Sequence, residues 1–154
     1  MVQIKPIKRD KSIQSLSREH HHGLLLCWKL RQGMKKNIAP KRMKVYTDWF
    51  YNQYVLPHFK TEEQYLFPVL GADNELVKKA ISQHRRLTRL FLDEKQIEKS
   101  LSFIEEELDA HIRFEERILF NEIQQTATRP QLRKIKLMHE EAPFIENNTD
   151  PFWL

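Results

Sequence analysis

The stretch Leu101-Ser-Phe-Ile104-Glu-Glu-Glu-Leu108-Asp-Ala-His111-Ile-Arg-Phe-Glu115-Glu-Arg-Ile118-Leu-Phe-Asn-Glu122 decides the fold. Residues 101, 104, 108, 111, 115, 118 and 122 recur at alternating steps of three and four, the spacing of one helix face. Leu101, Ile104 and Leu108 fill the first three seam positions, and His111 and Glu115 take the next two. Ionisable side chains on a core seam are costly unless they are paired or hold a metal. The period predicts a helix from near Glu94 to about Gln125 that packs along this seam and has a polar purpose inside it.

The same feature recurs upstream. His58-Phe-Lys-Thr-Glu62-Glu63-Gln-Tyr-Leu66-Phe67 aligns with His111-Ile-Arg-Phe-Glu115-Glu116-Arg-Ile-Leu119-Phe120, with five of ten positions identical at an offset of 53. Two such His-x-x-x-Glu-Glu stretches among seven histidines would arise by chance only about a few times in a thousand. Histidine and glutamate at i and i+4 share a helix face one turn apart, so one metal can take an imidazole nitrogen and a carboxylate oxygen from each copy. Glu63 and Glu116 read as supporting or surface acids. Tyr65, beside Glu62, reads as a packed aromatic within reach of a bridging group.

Composition narrows the rest. A chain of 154 residues is the size of one domain, here 1–154. Three glycines cannot supply the turns of a β-sandwich or a phosphate loop, and one cysteine excludes a disulfide or a thiolate zinc cage. The formal charge is +5, with Lys35, Lys36, Lys41, Arg42 and Lys44 around Pro40 and Arg85, Arg86 and Arg89 further on. These read as solvated loop and helix surface, since no aromatic interleaving marks a nucleic-acid site. The N-terminus is positive without a following apolar run, and the longest apolar run, Leu24 to Trp28, is too short to span a membrane. The expected location is cytoplasmic.

Punctuation places the remaining helices. The first is predicted from Gln14 or Leu16 to Arg31, stopping near Gly33. The second begins at Pro40, carries apolar residues at Val45, Trp49, Tyr51, Val55 and Leu66, bends or breaks at Pro57 and ends at Pro68. The third is capped by Asp73 or Asn74 and runs to about Leu92, with Val77, Ile81, His84, Thr88 and Phe91 on one face and Ala80 and Leu87 beside them. Thr128 caps a short fifth segment ending before Pro143, and Phe152 and Trp153 are placed to dock on the helices. The expected fold is all-α: an antiparallel up-down four-helix bundle over about 14–125, with a short C-terminal extra helix and tail over 128–154.

Each helix then brings a histidine to the interior. On the first, His20 lies at the centre of a stripe with Ile13, Leu16, Leu24 and Cys27, His21 at its edge, and His22 pointing away. His20 is the favoured inward ligand and His21 the second candidate. His84 completes the set from the third helix. Cys27 reads as a small buried hydrophobe, and His139 as a surface residue without a partner at ligand spacing.

The set Glu19-His20-His21, His58-x-x-x-Glu62-Glu63, His84-Arg85-Arg86-Leu87 and His111-x-x-x-Glu115-Glu116 resembles the hemerythrin-like, or HHE cation-binding, family. The resemblance implies a four-helix bundle holding two non-haem irons, with His20 or His21, His58, His84 and His111 as imidazole ligands and Glu62 and Glu115 as bridging carboxylates. It also implies an open coordination position for O2 or a related small molecule. The sequence departs from the oxygen carriers. Ala80 and Thr88 stand one turn on either side of His84 where a second third-helix histidine is expected, and the favoured carboxylate is Glu115, four residues after His111, rather than Glu116, five after it. Those departures point to a member that binds or senses O2, NO, peroxide or iron status and is not a dedicated oxygen carrier, with at most weak redox activity on peroxide or NO. Imidazole and carboxylate without thiolate suit iron, and also manganese or zinc.

Other readings fit less of the chain. A ferritin-like di-iron oxidase needs Glu-x-x-His on two helices, and only Glu19-x-x-His22 has that form. A His-Glu-x-x-His zinc site is absent. A metal-independent helical interaction module, or a basic bundle binding nucleic acid, would leave the two His-x-x-x-Glu-Glu stretches without a purpose.

Overall fold

The computed structural model describes residues 8–139, 141 and 143–154. The N-terminal stretch 1–7, on which the reading of a missing secretion signal rests, and Glu140 lie outside the described residues. The described chain is all-helical: α1 (Gln14–Lys35), α2 (Pro40–Phe50), α3 (Leu56–Thr61), α4 (Glu75–Leu92), α5 (Ile97–Phe114), α6 (Phe120–Thr126) and α7 (Arg129–Met138). None of these helices is long and apolar enough to cross a membrane.

Local chemistry sets most boundaries. Pro40 opens α2, where its missing N–H costs nothing. The Asn74 side chain accepts from the Leu76 and Val77 N–H groups at the start of α4. Thr128 and Gln131 form a reciprocal capping box on α7. α1 runs on to Lys35, past the expected stop at Gly33, and turns at Asn37 with φ 56°. Gly33 is a packing glycine, because a Cβ there would run into Met43 and lie 3.0 Å from the Phe152 ring.

The second helical run, 40–69, does not break at Pro57. A π-turn at Tyr51–Val55 widens the helix just before the proline, and a second follows at Glu62–Leu66. The fourth run, 97–126, holds a matching π-turn at Glu115–Leu119. Each π-turn takes an extra residue into the helix, so the inward face slips beyond it. The expected seam residues Ile118 and Glu122 are therefore exposed, and Leu119 and Ile123 are buried in their place. The apolar Val45 on α2 is 68% exposed, and Met43, Tyr46 and Phe50 form the buried face of that helix.

α1 packs along α5, α4 packs along α5, and α2 packs against α1, α4 and α5. Gly23 permits the closest approach of α1 to α5: a Cβ there would lie 2.7 Å from Ile112 Cδ1. The apolar interior falls into two clusters. One contains Leu30, Tyr46, Phe50, Phe59, Phe91, Leu108 and Phe152. The other contains Leu16, Leu66, Phe67, Ala80, Phe120, Ile123 and Ile135. A layer of histidine and glutamate touches both. Phe152 docks as expected, 1% exposed. Tyr65 packs, partly buried, on the second cluster.

Candidate metal centre

Six side chains meet in this layer: His20 from α1, His58 from α3, Glu62 opening the next π-turn, His84 from α4, His111 from α5 and Glu115 opening the matching π-turn. All six are buried, and Glu62 and Glu115 are fully inaccessible. His21 is exposed on the outer side of α1 and takes no part, so the inward position belongs to His20. Both π-turns begin at the inward glutamates of the two repeats.

The inner nitrogens converge. His58 Nε2 lies 3.3 Å from Glu62 Oε2, and His84 Nε2 lies 3.1 Å from Glu62 Oε1. His111 Nε2 and His20 Nε2 each lie 3.1 Å from Glu115 Oε1. Ligand atoms of His20, His58, Glu62 and Glu115 all fall within 4.8 Å of one another, and so do those of Glu62, His84, His111 and Glu115. The two groups share both carboxylates and divide the imidazoles two and two.

The outer nitrogens fix the chemistry. His20 Nδ1 donates to Glu116 at 2.7 Å, His58 Nδ1 to Glu19 at 2.8 Å, His84 Nδ1 to Glu63 at 3.0 Å, and His111 Nδ1 to Gln83 at 2.6 Å. A neutral imidazole has one N–H, so donating it outward leaves a bare Nε2 lone pair facing in. This outward tether is how metal-bound histidines are oriented. Glu116 and Glu63 thus act through imidazoles, and Glu19 and Gln83 join them. The only sequence sign of those last two is a position next to His20 or His84.

Three of the four buried carboxylate oxygens lack partners among the described residues, and Glu115 Oε1 meets His20 Nε2. Both Glu62 oxygens, Glu115 Oε2, His84 Nε2 and His111 Nε2 find no aligned hydrogen bond among the described residues, although His84 and His111 stand at contact distance from the carboxylates. Unpaired carboxylates at zero exposure are strongly unfavourable. A cation between the lone pairs removes that cost, so the donor set fits a metal. Without a cation, protons take its place. Burial and then the Glu115 charge push the Glu62 carboxyl well up. Burial also works against ionised Glu115, but the neighbouring His111 and His20 hold it well below the usual range. Burial disfavours charged His84, yet the Glu62 carboxylate beside it and its bond to Glu63 raise it to about 9.

Neither a family model, nor a curated protein, nor a solved structure matches this chain. The functional reading therefore rests on the site itself.

The two halves of the layer differ in their surroundings. The His84 ring lies flat on Phe59, centroids 3.8 Å apart, with Phe67 at 5.4 Å. His20 and His58 border a cavity of about 40 Å³, which His111 and Phe59 also reach and which Gly23, Tyr54 and Leu108 help to line. His139, expected on the surface with no partner at ligand spacing, has a largely buried side chain and donates to Glu19 at 3.0 Å, which in turn holds His58. Its partner was not visible in the sequence, because Glu19 lies 120 residues away. His22, expected to point outward, is half-buried and stacks on Phe144 at 4.4 Å. Cys27 sits in the apolar core, and burial pushes its thiol up to about 12. The basic residues near Pro40 are partly engaged: Arg42 pairs with Asp150, Lys44 binds Asp48 and the Phe91 carbonyl, and Lys36 reaches the Trp153 carbonyl.

Proposed function

We propose that this protein is a hemerythrin-like, antiparallel up-down four-helix bundle that holds two metal ions, iron first and manganese or zinc as alternatives. The proposal assigns it the binding or sensing of O2, NO, peroxide or iron status, in the cytoplasm, rather than dedicated oxygen carriage. The observation that carries the reading is the orientation of the imidazoles. Four histidines meet an outward acceptor at Nδ1 and turn their Nε2 atoms onto one interior region, which also holds three carboxylate oxygens of Glu62 and Glu115 without a hydrogen bond among the described residues. Short connections at 36–39, 70–74 and 93–96 support the up-down order of the bundle.

His20 and His58 would hold one ion, His84 and His111 the other, and Glu62 and Glu115 would serve both. Bound iron would supply a redox-active centre able to exchange a small ligand. The residues of the chain do the rest. Glu116, Glu19, Glu63 and Gln83 fix the ring planes and aim Nε2 into the layer. Phe59 and Phe67 shield the His84 half from water. The cavity beside His20 and His58 has room for a few waters or one diatomic, given that a water needs about 10–15 Å³ of such space, and none for a large organic substrate. With Ala80 and Thr88 flanking His84, the set is four imidazoles and two carboxylates, which leaves positions for water or an incoming ligand.

The test is to purify the protein in air, count bound metals, and record the visible spectrum before and after dithionite and NO. The reading expects about two irons per chain and ligand-to-metal bands that change with both reagents. Well under one iron per chain in carefully reconstituted protein, with no such bands, would overturn it.

A further inference from the structure

The C-terminal tail lies along the cavity beside His20 and His58. The Phe144 ring stacks on His22 at 4.4 Å, meets Tyr54 at 5.0 Å and approaches Phe50 at 6.3 Å. His22, Tyr54 and Phe50 all line the cavity, so the Phe144 ring packs against its wall. The next residue ties the tail to the same wall, since the Ile145 N–H donates to Tyr54 Oη at 3.0 Å.

The tail is fastened on both sides of this point by contacts that do not involve Phe144. Upstream, Arg18 pairs with Glu141, and His139 donates to Glu19, itself a cavity-lining residue. Downstream, Glu146 meets the largely buried Lys29 and accepts from Tyr46 Oη at 2.6 Å. Beyond it, Arg42 holds Asp150, and Phe152 is buried against α1 and α2. Lys29 also lies 4.2 Å from the Trp153 ring centroid. One aromatic ring, held between two anchored segments, therefore packs on the wall of the cavity that His20 and His58 border. The His84 half lies against Phe59 and Phe67.

We propose that Phe144 is the gate residue of this protein: it sets the rate, and the size limit, at which small ligands reach the His20–His58 side of the centre. The inference rests on the proposed metal reading for its ligand, but not for its geometry. A gate changes the barrier in both directions. Its removal speeds entry and exit together and leaves affinity unchanged, whereas a residue that only shapes the site changes affinity.

The experiment is a graded series, Phe144→Trp, Phe144→Leu and Phe144→Ala, in the full chain. In reduced, iron-loaded protein, NO association and dissociation are followed by stopped flow. In metal-free protein, xenon exchange is followed by NMR, the accessible wall of the cavity being mostly apolar. Loss of the His22 and Tyr54 ring contacts should raise both NO rates about tenfold in Phe144→Ala, with Leu intermediate, Trp slower than the parent and Kd unchanged. Xenon exchange should follow the same order. Full iron loading with NO and xenon rates that do not vary across the series would overturn the gate and leave the metal reading intact. Failure to load iron, with xenon exchange still graded, would overturn the metal reading and support the gate.

Discussion

Replacing Glu62 by methionine should strengthen the metal-free protein while destroying its metal site. Glu62 is fully inaccessible, neither of its oxygens has an aligned hydrogen bond among the described residues, and Glu115 lies beside it. Methionine has similar length and no charge to bury. Relief of the unsatisfied carboxyl is worth about 1–3 kcal/mol. In a chain of this size that raises the metal-free Tm by roughly 3–10 °C. Little is lost in exchange, because His84 Nε2 is not aligned on Glu62 and His58 Nε2 stands 3.3 Å away. Metal reverses the ranking. At a hundredfold excess over Kd the wild type gains about 2.7 kcal/mol from the ion, and Glu62→Met gains far less. The assay is calorimetric unfolding of both proteins with and without Fe(II) or Zn(II), anaerobically. A metal-free Glu62→Met protein weaker than wild type by about 3–5 kcal/mol would refute the reasoning, because that is the behaviour of a buried ion pair kept for stability.

Three further outcomes test the surrounding account. Leu119→Ala should cost about 2–5 kcal/mol and Ile118→Ala well under that, since the π-turn buries the first and leaves the second 47% exposed; equal losses in denaturant unfolding would contradict the slipped register. Gly33→Ala should destabilise by about 1–3 kcal/mol despite better helix propensity, because its Cβ meets Met43 and the Phe152 ring; an unchanged or raised Tm would show that the tail yields freely. The Cys27 thiol, raised to about 12 by burial, should stay unreactive to a disulfide reagent at pH 8 in the native protein and react on unfolding. The fold keeps the Cys27 proton more tightly than the unfolded chain does. Its contribution to stability is therefore full below pH 9 and is lost between pH 9 and about 12, which thiolate absorbance would follow.

The inward histidines and glutamates are legible in the sequence because helical period puts His58 with Glu62, and His111 with Glu115, on one face with apolar neighbours. His20 is separable from His21 and His22 by the same angles, and the exposed ring of His21 agrees with them. Period fails where the helix departs from 3.6 residues per turn. The π-turn at Glu115–Leu119 takes in an extra residue without disturbing the pattern on either side, so Ile118 and Glu122 look inward on paper and Leu119 and Ile123 are inward in space. Long-range partners are equally silent. Glu19 and Gln83 are ordinary polar residues until the fold sets them against His58 and His111, and His139 reaches Glu19 only after the chain has wrapped around the helices. The tail's hold on Tyr46, Lys29 and Tyr54 depends on the same wrapping.

The most direct measurement is an anomalous-scattering map at the iron edge from a crystal of the reconstituted protein. The account predicts two peaks inside the helices, separated by about 3.5–4 Å. One should lie among His20, His58, Glu62 and Glu115, and the other among Glu62, His84, His111 and Glu115. No peak in that layer at full iron loading, or iron bound only at surface carboxylates, would contradict it.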